Sequence, residues 1–320
     1  MPHRCAILDD YQSIALKSAD WSTVVGELDL KVFTAPIGSD DAVIAALKDF
    51  SIICAMRERT RFSRKVLEGL PNLKLLITTG MRNASIDVKA ANERRITVCG
   101  TGVVGNPTTG IAVGLMLELT RRIGFENARM KAGQPWQITI GDDLEGKTLG
   151  VVGLGKLGAR VGKVAQAFGM RVIAWSQNLT ADKAREAGAE LVSKDDLFRQ
   201  ADIITVHLIL SDRSRGLIGA RELGLMKPTA YLINTARGPI VDEGALVTAL
   251  RSRRIAGAGL DVFDVEPLPV DHPLRRLDNV VLTPHLGYVS TQNYGAYFRD
   301  TVGDIRAFLD GKPARVIPAG

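Results

Sequence analysis

The stretch GKTLGVVGLGKLGARVGKVAQAF, residues 146–168, constrains this chain more than any other. An apolar strand, Leu149 to Val152, runs into Gly153, Gly155 and Gly158, and a helix follows with Val161, Val164, Ala165 and Phe168 on one face. Gly153 permits a tight turn, Gly155 lets the backbone approach a pyrophosphate, and Gly158 lets the helix lie close to the strand. Amides at the start of that helix, from Lys156, Leu157 and Gly158, would then bind the phosphates. Glycine spacing alone is weak, because 32 of 320 residues are glycine. The strand before it, the helix after it and a second strand, RVIAW, make it specific.

The rest of the chain repeats the same grammar. Runs rich in Val and Ile (CAIL, LKVF, SIIC, LKLLIT, ITVC, then TLGVVG, RVIAW, DIITVHL, AYLINT and IAGAGLDV) alternate with helix-like stretches, which predicts an α/β fold with parallel sheets covered on both faces. A long helical segment from about 106 to 132 interrupts the rhythm before the glycine turn, so two sheets are expected. A last helix is expected over about 291–309, with Ile305, Phe308 and Leu309 at helical spacing. With 46% hydrophobic residues, 320 residues suffice for two buried cores.

The net charge of +6 arises from basic residues interleaved with acids, and the densest cluster, RERTRFSRK at 57–65, holds one aromatic, Phe62. That pattern reads as a solvated or anion-facing loop, and no nucleic-acid partner is expected. Cys5, Cys54 and Cys99 lie in or beside apolar runs and read as core thiols of a reducing compartment; their spacing suits no metal. The start, MPHRCAILDD, lacks the order of a signal peptide, and no apolar run spans a bilayer, so a cytoplasmic protein without a membrane partner is expected. No regulatory domain is expected after Leu309.

Three blocks in the second half, LINTARGPIVDEGAL, AGAGLDVFDVEPLP and VVLTPHLGY, each place one chemically useful residue where a strand gives way to a turn: Arg237, Glu266 and His285. Ligands of open α/β sheets bind at such strand ends. Reduction of a 2-oxo acid needs a clamp for the carboxylate, an acid for the developing alkoxide and a partner that keeps this acid charged. Taken singly, each residue has an ordinary reading as ion-pair former, surface carboxylate or core histidine. Together, downstream of the glycine turn, they point to chemistry.

On these blocks, and over nearly its whole length, the chain resembles the D-isomer-specific 2-hydroxyacid dehydrogenases. The resemblance implies two Rossmann-like domains, with a cofactor domain (104–288) inserted into a discontinuous substrate domain (1–103 and 289–320), in a homodimer. It implies that Arg237 binds the substrate carboxylate, His285 is the general acid or base, and Glu266 holds and charges the imidazole. It places Asp261 near the nicotinamide amide, with His207, Thr235 and Ala236 on the cofactor side. On the substrate side it points to Arg57, Met81 and Arg82, with Arg59 and Asn83 nearby; a surface ion-pairing role competes for the arginines. A hydroxyl of Thr108 or Thr109 stands where many members carry a glutamate, and Ile209 stands where a proline is common. Tyr288, Tyr294 and Tyr297 wall a pocket or belong to the core.

The activity implied is NAD(P)-dependent interconversion of a short 2-oxo acid and its D-2-hydroxy acid, of the glyoxylate or hydroxypyruvate type, with phosphoglycerate dehydrogenase as the alternative. A nucleotide-sensing protein without turnover is the competing class; the presence of all three chemical residues favours the enzyme. The strand VIAW ends in Ser176, Gln177 and Asn178, where an NAD enzyme carries an acid. Two like charges 4 Å apart repel by up to ~4 kcal/mol near a surface, and Ser176 removes that repulsion against a 2′-phosphate. Gln177 occupies the place of a common arginine, leaving Lys183 or Arg185 to supply a cation. Modest NADPH preference or dual use is expected, and no metal.

Overall fold

Five strands, β1 (His3–Ile7), β2 (Leu28–Val32), β3 (Ile52–Ala55), β4 (Leu75–Thr78) and β5 (Thr97–Gly100), pair in the order β2-β1-β3-β4-β5, every pair parallel. β3 and β4 have no exposed residue, as strands of a sheet covered on both faces require. The covering helices are α1 (Ser22–Val25), α2 (Asp40–Leu47), α3 (Arg64–Glu68) and α4 (Val88–Glu93). Leu47, Phe50, Phe62, Leu67 and Leu76 are buried with them, each worth about 1.5–3 kcal/mol of burial. The structure is a computed structural model that describes residues 2–318.

The second half begins with α5 (Pro107–Arg121) and α6 (Ile123–Lys131). The sequence predicts one helix here and the structure has two. Arg122 takes a left-handed conformation (φ 51°) between them, and Glu118 turns its carboxylate onto the amides of Gly124 and Phe125. There follow β6 (Thr148–Val152), α7 (Lys156–Ala167), β7 (Arg171–Trp175), α8 (Ala181–Glu186), β8 (Glu190–Leu191), α9 (Lys194–Gln200) and β9 (Ile203–Val206). The series closes with α10 (Ala220–Leu225), β10 (Tyr231–Asn234), α11 (Glu243–Arg251), β11 (Gly257–Leu260) and β12 (Val280–Leu282). Their sheet runs β12-β11-β10-β9-β6-β7-β8, again wholly parallel.

The last helix, α12 (Thr291–Leu309), belongs with the first sheet. The chain forms two compact units: residues up to Gly105 together with those from Ser290 onward, and Asn106–Val289 between them. Within the first unit, Asp300 and Asn293 accept hydrogen bonds from the amides of Gly102 (2.8 Å) and Val104 (2.9 Å). The segment after α12 bonds β5 through Gly100 N to Arg315 O and Ile317 N to Val98 O. Asp304 of α12 is fully buried, 3.0 Å from the Arg315 guanidinium, and burial pushes its pKa up to about 7. The three cysteines are buried and free. No helix among the described residues is long and apolar enough to cross a membrane. In the basic cluster, Arg64 pairs with Glu93 at 2.7 Å and Lys65 with Asp41 at 2.6 Å.

Candidate active site

Side-chain oxygens cap the N-termini of α2, α3, α4, α8, α9, α11 and α12. The start of α7 has no such cap: Gly155 stands there, exposed, and a Cβ on it would meet nothing within 4 Å. The first amides of α7 therefore point to open space at a positive helix end, a place for an anion. Gly153 has φ +101°, and a Cβ there would lie 2.9 Å from the His207 backbone carbonyl. A side chain at Gly158 would collide with the Gly153 carbonyl, so α7 packs this close to β6 only with glycine.

Strand order reverses direction between β6 and β9, the switch point at which open α/β sheets bind ligands. A cavity of about 560 Å³ opens there, lined by Gly153, Gly155, Ser176, Gln177, Asn178, Lys183 and His207, among others. Ser176 follows β7, and its hydroxyl accepts a hydrogen bond from Leu154 N at 3.4 Å. His207 Nε2 lies 2.9 Å from Thr205 Oγ1, and burial pushes its pKa down to about 4, so it is neutral at pH 7. Lys183 lines the cavity; Arg185 pairs instead with Asp182 at 3.0 Å. Thr235 Oγ1 is buried without a hydrogen-bond partner among the described residues. The uncapped amides, the glycine turn and this hydroxyl fit a dinucleotide.

At the neighbouring strand ends, His285 Nδ1 lies 2.6 Å from Glu266 Oε2, and Glu266 Oε1 accepts from Phe263 N at 3.0 Å. His285 has φ +54°, a left-handed conformation that a non-glycine residue holds only when its surroundings enforce it. Asp261, fully buried at the end of β11, enforces it. Its Oδ1 accepts from Thr283 Oγ1 (2.6 Å) and Leu286 N (2.7 Å), and its Oδ2 from Gly287 N (2.7 Å). Burial raises the Asp261 pKa while these three donors pull it down. Thr108 donates to Gly287 O at 2.6 Å, completing the frame, whereas Thr109 Oγ1 has no partner among the described residues. Tyr288 packs its ring edge-to-face on His285 at 5.5 Å.

Arg237 follows β10 on a turn organised by Asn234, whose amide side chain accepts from Ala236 N and donates to Arg237 O, both at 3.0 Å. The Arg237 guanidinium donates to Ala236 O at 2.7 Å. Asn234 escaped the sequence reading because asparagine in a turn carries no chemical signal of its own. So did Arg213, which lines the same cavity as Ser176 from the segment after β9.

Arg57, Met81 and Arg82 lie in the first unit, at the carboxyl ends of β3 and β4. Arg57 (φ 50°) is held by Thr79, its amide bonding Thr79 Oγ1 at 2.9 Å and its guanidinium Thr79 O at 3.0 Å. Asn83 staples the same loop, donating to Arg57 O and to Thr78 Oγ1. Arg59 stacks on the Tyr11 ring at 4.7 Å, and Met81 and Arg82 are exposed. Tyr294 and Tyr297 are buried, 2% and 1% exposed. Among the described residues no group of three or more His, Cys, Asp or Glu is placed to hold a metal ion.

Residues 113–287 match the family model of the D-isomer specific 2-hydroxyacid dehydrogenase NAD binding domain. The glyoxylate reductase of Aeropyrum pernix is 39% identical over 261 residues, 79% of this chain and 78% of that protein. The D-3-phosphoglycerate dehydrogenase of Synechocystis is 38% identical over 281 residues, 87% of this chain and 50% of that protein. Among solved structures, the phosphoglycerate oxidoreductase of Vibrio cholerae O395 gives a TM-score of 0.91 at 32% identity, over 97% of this chain and 99% of that one.

Proposed function

The chain belongs to the D-isomer-specific 2-hydroxyacid dehydrogenases, and from that premise we propose that it interconverts a short 2-oxo acid of the glyoxylate or hydroxypyruvate type and the D-2-hydroxy acid. The single observation that carries this reading is the 2.6 Å pair of His285 and Glu266 on a loop frozen by Asp261. With Nδ1 donating to Glu266, Nε2 is the ring nitrogen left to exchange a proton with substrate. When bound, the nicotinamide supplies or accepts the hydride. Arg237 would pair with the substrate carboxylate and polarise the adjoining carbonyl, holding it for attack. His285 would deliver the proton to the carbonyl oxygen in reduction and remove it in oxidation. Arg57, Met81 and Arg82 would contribute to substrate binding.

A second reading, a phosphorylated 2-oxo acid, is favoured by Arg57, Arg59 and Arg82, gathered at the strand ends of that unit. Loss of nicotinamide absorbance with glyoxylate, hydroxypyruvate, phosphohydroxypyruvate and a bulkier 2-oxo acid separates the two. We expect glyoxylate or hydroxypyruvate to give the highest kcat/KM. Preference for phosphohydroxypyruvate would establish the second reading, and cofactor binding without turnover of any acid would make the protein a sensor. Ser176 supports NADPH preference of a modest degree, or dual use; kcat/KM at least about tenfold higher with NADH would contradict it.

We also propose a homodimer. Helix α6 buries none of its residues although it carries Ile123, Phe125 and Met130. The segment after it leaves Trp136 71% and Ile140 fully exposed. Exposed apolar side chains this close together in the sequence favour an interaction site, and a second copy of the chain is its simplest occupant. Light scattering should give twice the 34.5 kDa chain mass, and the pair Trp136→Glu with Ile140→Glu should return it to one. A monomeric wild type at micromolar concentration would refute the dimer.

A further inference from the structure

We propose that Lys183 and Arg213 form a two-sided cation clamp for the adenosine 2′-phosphate of NADP(H), with Arg213 supplying the positive charge that the residue after Ser176 does not. This rests on the dinucleotide reading of the cavity and extends it to a residue outside the strand-end motif. Among the described residues no aspartate or glutamate lines that cavity, and the two charged side chains that do are both positive. They reach it from different elements: Lys183 from α8, and Arg213 from the segment between β9 and α10.

Several neighbouring cations are committed to carboxylates elsewhere. On the same unit Arg171, Arg185, Arg199 and Arg221 each pair with a carboxylate. Among the described residues Lys183 and Arg213 have no ion pair and no side-chain hydrogen bond. An unpaired cation costs little on an exposed surface, but two that converge on a carboxylate-free cavity create a local positive potential there. The turn that carries Arg213 is built to hold a conformation. Ser214, 6% exposed, donates to Ile209 O at 2.7 Å and accepts from Ser211 N at 2.8 Å, while Ser211 O accepts the amides of Ser214 and Arg215. Asp212, beside Arg213, is exposed and does not line the cavity.

The clamp predicts a pattern that needs no turnover to read. Calorimetric titration of the full-length protein with 2′,5′-ADP and with 5′-AMP isolates the 2′-phosphate. Wild type should bind 2′,5′-ADP at least about tenfold more tightly. Arg213→Gln and Lys183→Gln should each weaken 2′,5′-ADP by about fivefold to tenfold and leave 5′-AMP unchanged. The double variant should lose the preference, and added salt should shrink it in wild type. Both side chains are exposed, so the substitutions do not disturb a core. Equal binding of the two nucleotides by wild type would overturn the clamp and leave the dinucleotide site standing. Equal weakening of both by Arg213→Gln would overturn Arg213's part in it. Binding of neither nucleotide would overturn the dinucleotide reading itself.

Discussion

His285→Ala is expected to lower kcat for 2-oxo acid reduction by about a hundredfold to ten-thousandfold, the usual worth of a positioned general acid. Binding of 2′,5′-ADP should be unchanged. The carbonyl oxygen must gain a proton as hydride arrives, and the imidazole tethered 2.6 Å from Glu266 is the group placed to give it. Reduction draws on the protonated ring, so its rate should fall from pH 5 to 9. Oxidation draws on the neutral ring and should rise over the same interval. His207, with its pKa pushed down to about 4, stays neutral from pH 5 to 9 and adds no limb to either profile. Both dependences should vanish in His285→Ala. A wild-type reduction rate flat over that range, or an alanine variant within threefold of wild type, would remove His285 from the proposed role.

Asp261→Ala is expected to cost about a hundredfold in kcat although the carboxylate has no exposed surface from which to touch substrate. Its three donors, Thr283 Oγ1, Leu286 N and Gly287 N, fix the backbone that forces His285 to φ +54°. Without the acceptor, the loop would relax toward ordinary dihedrals and carry the imidazole off its line. Each buried amide left unpaired costs about 1–3 kcal/mol, so the melting temperature should also fall by several degrees. Asp261→Asn preserves volume but offers an N–H where a donor already points, and should recover little. Because the frame acts on geometry, KM for the 2-oxo acid and the affinity for NADH should move far less than kcat. If Asp261→Asn kept kcat and instead weakened NADH binding, the carboxylate would be serving the nicotinamide amide and the frame would be wrong.

Much of the fold was legible because parallel sheets advertise themselves. Strands such as IICA and LLIT are buried on both faces and therefore read as unbroken apolar runs. The glycine turn was legible for a similar reason: Gly153 and Gly158 are demanded by local backbone geometry, which lives within a few residues of sequence. Arg237, Glu266 and His285 stood out as polar residues closing apolar strands. The break at Arg122 was not legible, since nothing in the residue itself forbids a helix and the Glu118 carboxylate that secures the break acts from across the turn. The frame around His285 was hidden too, for it depends on Asp261, Thr108 and Gly287, far apart in the chain. Arg213 was invisible because its meaning lies in what surrounds the cavity, above all in the carboxylates that are missing from it.

The way the last helix completes the first sheet bears on how the molecule is made. The chain leaves the ribosome from its N-terminus at about 5–20 residues per second, so β1 to β5 emerge on the order of ten to forty seconds before α12 and the segment that pairs with Val98 and Gly100. The middle unit has every strand it needs once Val289 is out, and can close while the first remains an unfinished sheet with an open edge. During that delay Val98, Cys99 and Gly100 form an apolar edge available to any passing strand. Nascent-chain quality control would therefore meet this protein first through its unfinished N-terminal half, and substitutions near the C-terminus would act there.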